Sequence, residues 1–172
     1  MTVKPSVAAR LAAVFLALAA LTSPVLADDF NKVERSDEPS FFKRYTSGVQ
    51  DLIIKGLEFV GVRYVRGGNN PDSGLDCSGF VRYVFQESVG LVLPRTAKEM
   101  SQVGQQVADS DLKPGDLVFF NTMRRAFSHV GIYLGNNQFV HSPRPGGEVR
   151  VEDMRQSYWV SRYNGARRIA EQ

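Results

Sequence analysis

The constraint that most narrows the fold is a change of period near Val103. Before it, apolar residues recur at helical spacing: Val49, Leu52, Ile53, Leu57 and Val60, then Phe80, Val81, Val84, Phe85 and Val89. After it, short apolar runs are separated by turn chemistry, first Pro114-Gly115-Asp116 and then Gly135-Asn136-Asn137. Leu117 to Phe120, Ser128 to Leu134, Gln138 to Ser142, Glu148 to Glu152 and Gly165 to Ala170 read as strands. Helices followed by strands joined through tight turns predict an α+β domain, with N-terminal helices packed on an antiparallel sheet of about five strands. Capping boxes at Ser47/Gln50 and Thr96/Glu99 open the first helix and a short later one.

The N-terminus carries a different message. Lys4 and Arg10 precede an apolar run from Leu11 to Leu21, and Val25-Leu26-Ala27 sets small residues at a cleavage site. Residues 1–27 therefore read as a signal peptide, and the run is too short to span a bilayer. No cysteine lies near Ala27, so the expected product is exported, periplasmic or secreted, not a lipoprotein and without a membrane anchor. Residues 28–46 read as a polar arm or tether, and 47–172 as one domain. Loss of Lys4 and Arg10 leaves 19 basic residues against 18 acidic, a net charge of +1, which removes the case for a nucleic-acid partner.

Cys77 is the only cysteine. It follows the turn-forming stretch Asn69 to Gly74 and opens the second helical stripe, where free backbone N–H groups and the helix dipole favour a thiolate. One reading is a reactive nucleophile; the other is a small buried apolar residue. Export without a disulfide partner favours the first. The two histidines, His129 and His141, lie on the two arms of one hairpin. With a three-residue loop, Gly131 faces His141 and the rings become diagonal neighbours on one sheet face at roughly 7–8 Å between backbones. A cysteine and two histidines also admit a zinc site, although no C-x-x-C or H-x₃₋₅-H pair accompanies them. The other arrangement is a thiol, a base and an orienting group.

Asp76-Cys77-Ser78-Gly79-Phe80, Ser128-His129-Val130-Gly131-Ile132-Tyr133 and His141 resemble the NlpC-type family of papain-like cell-wall peptidases. Tyr64 ahead of Gly67-Gly68, Leu93-Pro94-Arg95-Thr96 and Leu112 to Phe119 extend the resemblance over about residues 48–170. It implies a reduced papain-like core and a cysteine endopeptidase of peptidoglycan stem peptides or cross-links, at the γ-D-glutamyl–diamino acid bond or a diamino-acid cross-link. Cys77 would be nucleophile, His129 base, His141 the third member and Tyr64 a hydroxyl donor to the oxyanion. Asp76 and Ser78 would line the substrate cleft. Arg95, with Arg124 and Arg125 of the loop 122–127, would meet stem-peptide carboxylates. No metal or cofactor is implied, and a protein regulator is left open. An amidase or acyltransferase on the same residues, or a non-catalytic wall-binding regulator, are the competing readings.

Overall fold

The computed structural model describes residues 41–169 apart from Met123, with side chains from Ser47 onward. The expected signal peptide and most of the expected arm lie outside the described residues. The first helix, α1, spans Phe41–Glu58, so it starts well before the capping box expected at Ser47. No proline or glycine separates Phe41 from Ser47, and nothing in that stretch stops a helix. Two short strands, β1 (Asn69–Asn70) and β2 (Gly74–Leu75), form a small antiparallel pair around the turn before Cys77. Helix α2 (Cys77–Val89) follows, with Asp76 as its N-cap accepting from the Gly79 N–H at 2.7 Å and Gly90 closing it in the left-handed region. Thr96 and Glu99 make the expected reciprocal capping box at α3 (Ala97–Met100).

The remaining strands are β3 (Gln105–Val107), β4 (Leu117–Phe120), β5 (His129–Gly135), β6 (Gln138–His141), β7 (Arg150–Asp153) and β8 (Tyr163–Arg168), with a one-turn helix α4 (Ser157–Val160) before the last. They form a six-stranded antiparallel sheet in the order β3-β8-β4-β5-β6-β7, one strand more than the sequence predicts. The extra strand is β3. Its Gln-Gln-Val sequence has no apolar alternation, and it is an edge strand held by pairing with β8, with Val107 its one buried residue.

The central strands of the sheet are buried on both faces. Leu117, Phe119, Val130, Ile132 and Val140 pack with Leu52 of α1 and Phe80, Val81 and Val84 of α2. Val118, Phe120, Tyr133, Phe139 and Ala166 form a second apolar layer closed by Trp159 of α4. That arrangement explains the unbroken Leu-Val-Phe-Phe of β4, whose four residues are all buried. No helix among the described residues is long and apolar enough to cross a membrane.

The β5–β6 hairpin decides where the histidines point. Its loop is two residues, Asn136-Asn137, both with positive φ (51° and 62°), as a type I′ turn requires. A two-residue loop alone would put the rings on opposite faces. A bulge between Tyr133 and Gly135 restores the expected register: Ile132 pairs with Val140, and His129, Tyr133, Phe139 and His141 share the second face. The three-residue loop of the sequence reading is thus replaced by a tighter turn plus a bulge, with the same outcome for the rings.

Candidate active site

Gly79 brings the start of α2 against the turn before it. A Cβ there would lie 2.0 Å from the Gly68 carbonyl oxygen, so the DCSG segment can dock only with glycine at this position. The docking aims the first turn of α2 at the start of β5. The Cys77 thiol there lies among the backbone N–H groups of Val130, Ser78 and Cys77 itself. These donors favour a thiolate, as the sequence predicts. They are outweighed, however: burial first, and the Asp76 carboxylate second, push the thiol up to about 11. The free site therefore rests with Cys77 as a thiol.

His129 and His141 meet as expected, with Nε2 of the first 2.7 Å from Nδ1 of the second and the rings nearly perpendicular. Both are buried, and burial lowers both from the ordinary histidine value, His129 well below it with His141 adding to the effect. With Nε2 committed to His141, Nδ1 is the His129 nitrogen left to act as a base. A cleft of about 530 Å³ opens over Cys77, His129 and Tyr64. Burial raises the Tyr64 phenol, as do the nearby Cys77 and Asp76, so it keeps its proton and can donate.

The structure adds residues that the sequence reading missed. Trp159 stacks on His129 at 5.7 Å between centroids and stands edge-on to His141 at 5.1 Å. Its indole N–H donates to the Glu152 carboxylate, which also accepts from Arg150 and lies 3.7 Å from His141 Nε2. Glu152 is held down at about 2, first by His141 and then by Trp159 and Arg150. That Trp159 is the sole tryptophan was the only sequence signal pointing to it.

Arg66, Arg144 and Arg150 line the cleft. The arginines expected to meet substrate are placed elsewhere. Arg124 and Arg125 are exposed and outside the lining, because Phe127 ties the loop back onto Phe119 and onto the Asn164 side chain. Arg95 grips Asp76 in a two-pronged pair at 3.0 and 2.7 Å and also reaches the Ser78 hydroxyl at 2.9 Å. Asp76 further accepts from the Gly67 N–H at 3.0 Å. Asp76, Ser78 and Arg95 therefore form a brace under the nucleophile rather than a free set of ligand-binding charges, and none of the three lines the cleft. Among the described residues, no group of three or more His, Cys, Asp and Glu side chains is arranged to hold a metal ion.

Residues 61–168 match the model of the NlpC/P60 family. The chain is 46% identical over 112 residues to Murein DD-endopeptidase MepS/Murein LD-carboxypeptidase of Escherichia coli (strain K12), covering 65% of this chain and 58% of that protein. It is 44% identical over 119 residues to Gamma-DL-glutamyl hydrolase of Bacillus subtilis (strain 168), covering 69% of this chain and 29% of that protein. The chain thus spans between about three tenths and three fifths of the length of these two curated relatives. Among solved structures, the NlpC/p60 domain of the peptidoglycan hydrolase SagA superposes with a TM-score of 0.62 at 31% identity, covering 70% of this chain and 98% of that one. The matched region holds Cys77, His129 and His141 alike: this chain belongs to the NlpC/P60 family.

Proposed function

We propose that this protein is an exported cysteine hydrolase that cuts peptide bonds in peptidoglycan stem peptides or their cross-links. The observation that carries this reading is the shared cleft of Cys77 and His129, with the second histidine nitrogen already taken by His141 at 2.7 Å. A thiol, a base with one free nitrogen and an orienting partner suffice for acyl transfer. The names of the relatives, a murein endopeptidase and a γ-glutamyl hydrolase, supply the substrate class. The cationic lining of Arg66, Arg144 and Arg150 suits the carboxylates of such peptides.

In the reaction, Cys77 Sγ attacks the carbonyl carbon while its proton passes to His129 Nδ1. The tetrahedral oxyanion takes hydrogen bonds from the Tyr64 hydroxyl and from N–H groups at the start of α2. Collapse breaks the C–N bond, and the leaving amine collects the proton from His129. Water, deprotonated by the same nitrogen, then hydrolyses the thioester and restores the thiol. The γ-D-glutamyl bond to the diamino acid is the preferred target, and the diamino-acid cross-link the second. A substrate of this kind lies outside the cytoplasm, which agrees with residues 1–27 acting as an export signal.

Digestion of purified muropeptides followed by mass spectrometry tests the reading. A freed amine on the diamino acid paired with a new glutamate γ-carboxylate identifies the first bond, and opened dimers identify the second. Cys77→Ala should abolish turnover by several orders of magnitude while leaving the fold intact. Near-normal turnover in that variant, or digestion of casein with muropeptides untouched, overturns the proposal.

A further inference from the structure

Glu152 stands behind the two histidines, and the reaction above makes no use of it. It lies on β7 opposite Phe139 of β6. One carboxylate oxygen is 3.7 Å from His141 Nε2 and accepts from Arg150; the other accepts from the Trp159 indole N–H. His141 is fully buried, and its Nε2 makes no hydrogen bond in this structure, with the Glu152 carboxylate at ion-pair distance, 3.7 Å. The charged and titratable groups that act on Glu152 or respond to it are His141 from β6, His129 behind it on β5, and Arg150 on its own strand, while Arg144 and Tyr158 line the same cleft. From α4 it accepts from the neutral indole of Trp159. Arg150 works against Glu152 at His141, favouring the neutral ring.

A bare imidazole nitrogen facing a carboxylate would set two acceptors against each other in a site without water-like screening. The Nε2 of His141 therefore carries the proton, and its Nδ1 is bare. A bare Nδ1 at 2.7 Å can only accept, so His129 donates from Nε2 and its Nδ1 is bare in turn. We propose that Glu152 is a positioning residue that fixes the tautomers of both histidines, leaving His129 Nδ1 free to take the thiol proton and stabilising the positive charge that then forms. The kinetic part rests on the hydrolase reading; the tautomer part does not.

Glu152→Gln tests this. The amide oxygen keeps the Trp159 N–H, which turns the NH₂ toward His141 Nε2 and favours the opposite tautomers, with a proton on the base nitrogen. The expected result is a loss in kcat of about 10–100-fold, the scale found for outer partners that orient an imidazole, at unchanged KM. Removing a charge that favours imidazolium also moves the acid limb of kcat/KM to lower pH. Glu152→Asp retains the charge and should recover the wild-type tautomers and part of kcat. Imidazole ¹⁵N spectra read the tautomers without turnover, and two histidines make them assignable. A wild-type spectrum with His141 protonated at Nδ1 overturns the proposal. So does a Glu152→Gln enzyme within about twofold of wild-type kcat with an unmoved acid limb. Wild-type protein inert toward muropeptides overturns the hydrolase reading instead, and the spectra then decide the role of Glu152 alone.

Discussion

Gly131→Ala is a one-methyl test of how the hairpin supports the site. Gly131 lies between His129 and the bulge, where β5 crosses His141. A Cβ built there would sit 2.7 Å from Phe139 Cδ2, 2.9 Å from the Val140 carbonyl oxygen and 3.2 Å from His141 Cβ. Ordinary contact needs about 3.4 Å or more, so the Phe139 ring would have to retreat by roughly 0.7 Å. It has nowhere to go: Phe120, Trp159 and His141 hold it at 4.9, 5.0 and 4.6 Å between ring centroids. The carbonyl belongs to the backbone of β6 and can move only with its strand. Overpacking of this kind costs roughly 1–3 kcal/mol, which for a domain of this size lowers Tm by roughly 3–12 °C. Because the strand that shifts carries His141, turnover should fall at least about tenfold even where the variant is fully folded, equivalent to about 1.4 kcal/mol in the barrier. Thermal melts by circular dichroism and muropeptide turnover read the two effects separately. Val107→Ala, in the second apolar layer but on the distant edge strand β3, supplies the comparison: a similar loss of Tm with kcat retained. A Gly131→Ala protein that melts with the wild type and turns over normally would refute the account of the hairpin.

Three further outcomes are expected. Because burial lowers His129 well below its ordinary value of 6.5, the proposed base stays unprotonated under mild acid. The acid limb of kcat/KM should therefore lie below pH 6.5, and a limb above that value would contradict it. The resting thiol, raised to about 11, should make iodoacetamide inactivation of the free enzyme accelerate about tenfold per pH unit from pH 7 to 10, whereas a plateau beginning near pH 5 would mean a preformed thiolate–imidazolium pair. Asp76→Ala removes the α2 N-cap and strands Arg95, so denaturant melts should show a loss exceeding the roughly 0.5–2 kcal/mol of a simple cap. A loss below that range would show that the brace is dispensable.

Local chemistry made much of this legible. The period switch, the Thr96/Glu99 capping box and the start of α2 at Cys77 depend on neighbours in sequence, and each appears where expected. The shared face of His129 and His141 was also readable, though by a partly different route, since the bulge compensates for a tighter turn. What escaped the sequence depends on distant partners. Arg95 looks free until Asp76 and Ser78 are brought to it by the docking of α2, 19 and 17 positions away in the chain. Arg124 and Arg125 are near His129 in sequence, yet with Phe127 tied to Phe119 and Asn164 they stand outside the cleft lining. Glu152 and Trp159 belong to a strand and a single helical turn with no pattern of their own, and only the closed sheet sets them against the histidines.

The stacking of Trp159 on His129 has an optical consequence. With one tryptophan in the chain, fluorescence excited on the long-wavelength side of tyrosine absorption comes from a single indole, and that indole lies over His129, the proposed base. An imidazolium formed there is a cation facing an aromatic ring, a change that tryptophan emission registers directly. The protein thus carries a native fluorophore whose brightness should report the charge of His129, without a label and without a substrate.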